Sequence, residues 1–151
     1  MGTSGCGCPG SMAKVIERPE TTETSGIKAP SELRQWPVQL HLVPPTAPYF
    51  QDADILVCAD CVAFAMGSMH QDLLKGKALA IACPKLDDST PYVDKLAHIL
   101  SANNIKSVTV AIMEVPCCRG LDIMVREALR KSGKEIPLES IVIGINGERR
   151  N

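Results

Sequence analysis

The sequence predicts an α/β protein, a three-layer sandwich around a mostly parallel sheet of about five strands. The first observation is alternation: short apolar runs are separated by amphipathic segments about 10 to 15 residues long, which is the spacing of β-α-β units. The second is Ser107–Met113, a near-continuous apolar run that fits a strand covered on both faces of a parallel sheet. Together they favour strands joined by right-handed crossovers.

The predicted strands are short apolar or alternating runs, each followed by a proline or a polar turn. They are Val38–Val43, Ile55–Cys58, Ala78–Cys83, Ser107–Met113 and Ser140–Ile145. Pro44 ends the first run and Pro116 the fourth, because proline cannot donate to the hydrogen-bond ladder of a sheet. Asn146 and Gly147 turn the chain away after the fifth.

The segments between these strands carry helical periodicity. They are Cys61–Lys75, which Gly67 interrupts, the segment Val93–Leu100 after the capping candidates at residues 87–90, and the segment through Leu121, Val125 and Leu129 that ends at Gly133. Strands and helices in this order predict a flavodoxin-like or Rossmann-like fold. The chain has no GxGxxG after a first strand and no P-loop sequence, so no nucleotide site is indicated.

The first 36 residues differ from the rest of the chain. Cys6 and Cys8 lie in a compact Cys-Gly-Cys-Pro-Gly turn, and residues 17–30 are rich in Pro, Thr, Ser and Glu without apolar periodicity. We therefore expect residues 1–36 to be an N-terminal cysteine-containing segment and linker, extended at residues 17–30 with few buried side chains. Residues 37–151 are expected to form the α/β domain.

Length and charge narrow the classes of function. The 151 residues fit one domain with its own core, and 16 basic residues nearly balance 17 acidic ones. This balance gives no reason to expect binding to nucleic acid or to an anionic membrane, and no apolar run reaches the roughly 18 residues of a membrane span. Because the N-terminus lacks the basic-then-apolar order of a secretory signal, we expect a cytoplasmic protein.

Three of the predicted strands end in cysteine. Cys58 and Cys61 follow the second strand, Cys83 ends the third, and the adjacent Cys117 and Cys118 follow the fourth. The carboxyl ends of parallel strands meet at one edge of the sheet, where ligands bind in open α/β folds, so these thiols are expected to cluster. In a cytoplasmic chain, seven cysteines indicate metal or redox chemistry rather than structural disulfides.

We predict that Cys61, Cys83, Cys117 and Cys118 hold one thiolate-bound centre, a [4Fe-4S] cluster. Four soft thiolates suit an iron–sulfur cluster or zinc, and a helix N-terminus beside a cysteine favours the charged thiolate. Three further cysteines are the replacements if one of the four is not a ligand: Cys6, Cys8 and Cys58.

Other interpretations of the cysteines stay open. They include a redox thiol site, small buried core residues, and an interaction module that docks a ferredoxin domain without a cluster. A zinc site is a further alternative, because Cys58-Ala-Asp60 is similar to the start of the CxDxR motif of β-carbonic anhydrases. Val62 stands where that motif has arginine, and no HxxC sequence follows.

Four stretches resemble a family of anaerobe proteins described as 4Fe-4S ferredoxins or iron–sulfur cluster-binding proteins. They are LRQWPVQLHLVPP at residues 33–45, DC at 60–61, CPKLDD at 83–88 and EVPCC at 114–118. In many members a ferredoxin domain precedes a C-terminal domain like this one, whereas this chain has no CxxCxxC run. The resemblance implies electron transfer or an accessory role in an anaerobic redox complex, with a ferredoxin-type or other redox protein as partner. A homo-oligomer stays open.

Overall fold

The computed structural model describes residue 17 and residues 28–151, and its centre is a sheet of four parallel strands. The strands are β1 (Ala53–Ala59), β2 (Lys77–Ala82), β3 (Ile105–Met113) and β4 (Leu138–Ile143). Their order across the sheet is β2-β1-β3-β4, and every neighbouring pair is parallel. This confirms the predicted α/β class. Cys6, Cys8 and most of the segment 17–30, for which we predicted an extended linker, lie outside the described residues.

Three helices follow the first three strands in the described part of the chain. They are α1 (Val62–Ala65), α2 (Tyr92–Ala102) and α3 (Arg119–Ser132). Two 3-10 turns, Pro48–Phe50 and Pro116–Cys118, and a π-helical turn, His70–Leu74, complete the connections. No helix among the described residues has the length and apolar character needed to cross a membrane.

The prediction of a strand at Val38–Val43 is wrong, which is why the sheet has fewer strands than expected. This segment makes a single bridge, from Gln39 to Ile81 at the outer side of β2. The chain then coils, because the backbone N–H groups of Leu42 and Val43 both donate to the carbonyl oxygen of Gln39 (2.8 and 3.0 Å). Leu40 and Val43 are fully buried and Leu42 is exposed, so burial follows a turn rather than the alternation of a strand.

The predicted helix Cys61–Lys75 is broken into two pieces. It stops after α1 because Met66 takes an extended backbone conformation (φ −103°, ψ 104°), and Gly67 and Ser68 form a turn. The π-helical turn His70–Leu74 then buries Leu73 and Leu74. The sequence pattern identified Val62, Met69 and Leu73 as buried positions but not this break, and Phe64, also expected on the apolar face, is exposed. The break leaves only four residues of helix after Cys61.

The helices cover opposite faces of the sheet. On one face, Ser140 of β4 donates from its hydroxyl to Asp122 of α3 (2.5 Å), and α2 packs beside α3. On the other face, Cys58 of β1 lines a cavity together with Ala63 of α1 and Leu74 of the π-helical turn. Successive residues of a strand point to opposite faces, so the two middle strands are enclosed on both sides. β1 is buried throughout residues 55–59, and β3 throughout residues 108–113.

Candidate thiolate site

The loops after β1, β2 and β3 meet at the carboxyl edge of the sheet, and each brings cysteine to it. Cys61 lies two residues beyond β1, Cys83 directly follows β2, and Cys117 and Cys118 form most of the 3-10 turn after β3. These four thiols line one cavity of about 370 Å³. The arrangement follows from the strand order, because β1 lies between β2 and β3 and all three run in the same direction.

The remaining walls of this cavity, which we call the cysteine cavity, are mostly apolar. They are formed by Lys85, Leu86, Met113, Val115 and Ile145. Among its thiols, Cys61 is exposed, Cys83 and Cys117 are half-buried, and Cys118 is buried. The described cysteines are all free of disulfides. The cavity is therefore lined by four cysteines and by mostly apolar side chains, and at Cys61 it reaches the protein surface.

A short turn brings the two adjacent cysteines to the same cavity. Pro116 begins the 3-10 turn, and the backbone N–H of Cys118 donates to the carbonyl oxygen of Val115 (3.1 Å). The chain passes directly into α3 at Arg119. Side chains at neighbouring positions of an extended chain point apart, whereas this tight turn allows Cys117 and Cys118 to line one space.

The position of α3 depends on a close contact with the loop after β2. Gly120, in the first turn of α3, packs against Pro84, the residue after Cys83. A Cβ atom at position 120 would lie 3.3 Å from the Cβ of Pro84, which is tighter than most such contacts. The absence of a side chain at Gly120 therefore allows the Cys83 and Cys117–Cys118 segments to approach each other.

The loop after β2 holds Cys83 through several hydrogen bonds. The backbone N–H of Cys83 donates to Oδ2 of Asp87 (2.9 Å), and the N–H of Asp87 donates to the carbonyl oxygen of Cys83 (2.9 Å). The N–H of Leu86 donates to the Cys83 sulfur (3.4 Å), and the hydroxyl of Tyr92 donates to Asp87. Sequence analysis named residues 87–90 as capping candidates but did not identify this loop; an aspartate four residues after cysteine is the signal that could have suggested it.

When no cation is present, burial disfavours the charged thiolate at Cys61 and Cys118. Burial raises the pKa of Cys118 to about 11; a backbone hydrogen bond from Met113 opposes this shift, and the neighbouring cysteines add to it. Burial also raises the pKa of Cys61, with further contributions from Cys83, Asp60 and Cys117. Thiolates that repel one another in an apolar cavity require a compensating positive charge, which a bound metal centre supplies.

Cys58 and Asp60 lie near the cysteine cavity but do not line it. Cys58 is 1% exposed, and burial raises its pKa to about 12. Both residues line a separate cavity of about 250 Å³, where they meet Met69 and His70. Oδ1 of Asp60 is buried and has no hydrogen-bond partner among the described residues, and burial together with Asp87 raises the pKa of its carboxyl group. Cys58 is thus placed as a core residue behind the four cysteines.

The described part of the chain contains no group of three or more His, Cys, Asp or Glu side chains arranged to hold a single metal ion. The candidate site is therefore defined by its shared cavity and not by a preformed tetrahedron of sulfur atoms. Its 370 Å³ falls in the range of about 300 to 1,000 Å³ that is common for small-molecule and cofactor sites.

Comparisons with known proteins show what this fold is similar to. A family model described as "Rossmann-like domain" matches residues 47–150. A protein of Archaeoglobus fulgidus, described as an uncharacterized protein, is 33% identical over 116 residues, which cover 77% of this chain and 81% of that protein. No solved structure matches the chain.

Proposed function

The chain belongs to the Rossmann-like domain family, and we propose that it binds an iron–sulfur cluster at the carboxyl edge of its sheet. The ligands are Cys61, Cys83, Cys117 and Cys118, and the cluster is of the [4Fe-4S] type. The observation that carries the proposal is the single cavity that all four line.

The residues present fit such a group in number, chemistry and space. A cubane cluster takes four cysteine thiolates, and the cysteine cavity presents four free thiols. Thiolates are soft ligands that select iron–sulfur clusters, zinc or Cu(I) over hard cations. The N-terminus of α3 lies directly after Cys118, so its partial positive charge helps to balance the thiolates there. The four-residue α1 after Cys61 gives little help of this kind.

When bound, the cluster supplies one-electron transfer. The protein binds it, limits the access of water through the apolar walls formed by Met113, Val115 and Ile145, and leaves one side open at Cys61. Leu86, at the rim of the cavity, is 84% exposed, so a redox partner could contact its apolar side chain at the open side of the site. These features support electron transfer, or an accessory role in an anaerobic redox complex, with a ferredoxin-type or other redox protein as partner in the cytoplasm.

Metal and sulfide analysis of protein reconstituted without oxygen tests the proposal. We expect a brown protein with charge-transfer absorption near about 400 nm and about four irons and four sulfides per chain. A colourless protein that holds one zinc would favour the zinc alternative. If the protein binds neither a cluster nor zinc, the cysteines form a redox thiol site or serve as small core residues.

Substitutions identify the ligands. Each of Cys61→Ser, Cys83→Ser, Cys117→Ser and Cys118→Ser should lower the iron content after reconstitution. Cys58→Ser is the matched control, because this thiol lies near the site but outside the cysteine cavity. If the quadruple variant binds as much iron and sulfide as the parent, the site lies elsewhere and the proposal fails.

A further inference from the structure

One carboxylate, that of Asp87, connects the start of the loop after β2 to the start of α2. Oδ2 of Asp87 accepts the backbone N–H of Cys83 at the start of the loop (2.9 Å) and also the hydroxyl of Tyr92, the first residue of α2. The N–H of Asp87 donates back to the carbonyl oxygen of Cys83 (2.9 Å). Asp87 therefore ties the backbone of Cys83 to the beginning of α2.

The anchor at the far end of this network is rigid. Tyr92 is fully buried, and its ring lies 4.6 Å from the ring of His41, centroid to centroid. A buried aromatic ring has little rotational freedom, so its hydroxyl holds the Asp87 carboxylate in one place. Asp87 in turn fixes the loop at its other end, through Cys83.

The closed loop places a hydrogen-bond donor on a sulfur atom. The backbone N–H of Leu86 donates to Sγ of Cys83 (3.4 Å). The Leu86 side chain is 84% exposed, so packing of that side chain does not hold the residue in position. The N–H···S hydrogen bond forms within the turn that Asp87 closes onto Cys83, through its backbone N–H and through its carboxylate.

We propose that Asp87 is a positioning residue that keeps the Leu86 N–H on the Cys83 sulfur and thereby raises the reduction potential of the centre ligated by that sulfur. The inference rests on the proposed function, because it requires a cluster bound at Cys83. An N–H donor stabilises negative charge on sulfur. It stabilises the reduced cluster more than the oxidised one because the reduced cluster is more negative.

Two substitutions at position 87 separate positioning from charge. Asp87→Asn and Asp87→Ala both remove the carboxylate charge, but the asparagine keeps an oxygen that accepts from Cys83 and Tyr92. The comparison between them therefore cancels the effect of charge on the potential. Asp88→Asn and Asp88→Ala are the matched controls, because that neighbouring carboxylate is exposed and accepts from Thr90 instead.

The midpoint potential of each reconstituted variant, measured by redox titration under argon, decides the inference. We expect Asp87→Ala to have a lower potential than Asp87→Asn, and the two Asp88 variants to agree with each other. Equal potentials for Asp87→Ala and Asp87→Asn overturn the inference while leaving the cluster in place. A wild-type protein that binds no iron or sulfide overturns the proposed function, and this inference with it.

Amide hydrogen exchange in the metal-free protein gives a second readout that needs no cluster. The Cys83 and Leu86 amides should exchange about fivefold faster in Asp87→Ala than in Asp87→Asn, which corresponds to the loss of about 1 kcal/mol of protection. If Asp87→Ala does not fold, Tyr92→Phe replaces it, because this change removes only the hydroxyl that anchors Asp87. Tyr92→Phe should then show a lower potential than the wild type, and an unchanged potential contradicts the inference.

Discussion

Gly120 of α3 packs against Pro84 of the loop after β2, so closely that a Cβ atom at position 120 would lie 3.3 Å from the Cβ of Pro84. This contact links the segment that carries Cys118 to the segment that carries Cys83. The distance between two walls of the cysteine cavity therefore depends on the size of one residue that is not itself a ligand.

Substitution of Gly120 should widen the site. Gly120→Ala gains helix propensity worth up to about 1 kcal/mol. This gain offsets the free-energy cost of moving Pro84 by the few tenths of an ångström that the new methyl group requires. Valine adds two more methyl groups at the same contact and should push α3 away from Pro84, so we expect Gly120→Val to lower iron content after reconstitution. Gly67→Val is the control, because a Cβ built at Gly67 has no atom of a residue beyond its two chain neighbours within 4 Å. Equal iron in the two variants would show that this contact does not set the spacing.

The stability of the metal-free protein should fall at alkaline pH because of Cys58. Burial raises the pKa of this thiol from about 9 in an exposed chain to about 12 in the folded protein. Between these values the unfolded chain has lost the proton and the folded chain retains it. Stability from this group is complete below about pH 9 and then declines by up to about 1.4 kcal/mol per pH unit. Urea unfolding at pH 7 to 10, with a reductant, measures the slope.

Cys58→Ala provides the comparison for the pH prediction. The variant lacks the titrating thiol, so its unfolding free energy should fall less steeply above pH 9 than that of the wild type, whatever its absolute value. Parallel pH curves for the two proteins would mean that another group causes the alkaline loss of stability.

Asn103 should be the most sensitive polar residue of the fold. It is 2% exposed, its amide nitrogen donates to the carbonyl oxygens of Pro45 and Ile99 (both 2.7 Å), and its amide oxygen accepts from Gln51 (2.7 Å). Asn103→Ala removes these three hydrogen bonds, of which the one to Ile99 is fully buried, and we expect a loss of about 1 to 3 kcal/mol in unfolding free energy.

Asn104→Ala is the matched control for that change. Asn104 is exposed, and its amide donates to Asp52 (2.7 Å) at the surface, so its loss should cost about 0.5 kcal/mol or less. Chemical denaturation of both variants checks the difference. A similar loss of unfolding free energy in the two variants would show that burial of Asn103 does not make its hydrogen bonds more stabilising than those of Asn104.

Removal of the cluster should lower stability, because the cluster joins three separate loops. A ligand that binds only the folded protein increases the unfolding free energy by mass action. The reconstituted protein should therefore unfold at a higher urea concentration than the metal-free protein. The quadruple cysteine variant should show the same midpoint before and after reconstitution. A shift in that variant as large as in the wild type would point to iron bound at another place.

Local patterns in the sequence are sufficient to predict the α/β class, most of the apolar strands, and the position of cysteines at three strand ends. These follow from local patterns, since apolar runs and prolines mark where strands begin and stop. Because β-α-β connections make strands parallel, the sequence alone predicts a common edge for Cys61, Cys83, Cys117 and Cys118.

Packing of the whole chain determines which of the predicted strands and helices form over their full predicted length. Residues 38–43 have the composition of a strand, but they form a turn in which the N–H groups of Leu42 and Val43 donate to the carbonyl oxygen of Gln39. Their pairing with the sheet is limited to one bridge, between Gln39 and Ile81. The helix expected from Cys61 ends after four residues at an extended Met66. In both places a local preference gave way to packing and hydrogen bonds from distant parts of the chain.

Within the site, too, contacts between distant segments determine what local sequence does not. Cys58 lies one residue before the end of β1 and Cys61 two residues after it, yet Cys58 is enclosed in the sheet and Cys61 lines the cysteine cavity. In the loop from Cys83 to Asp87, the Asp87 carboxylate accepts both from the Cys83 N–H and from the Tyr92 hydroxyl at the start of α2. The sequence places chemical groups along the chain, but their burial and mutual hydrogen bonds depend on which segments meet, and that is set only when the whole chain packs.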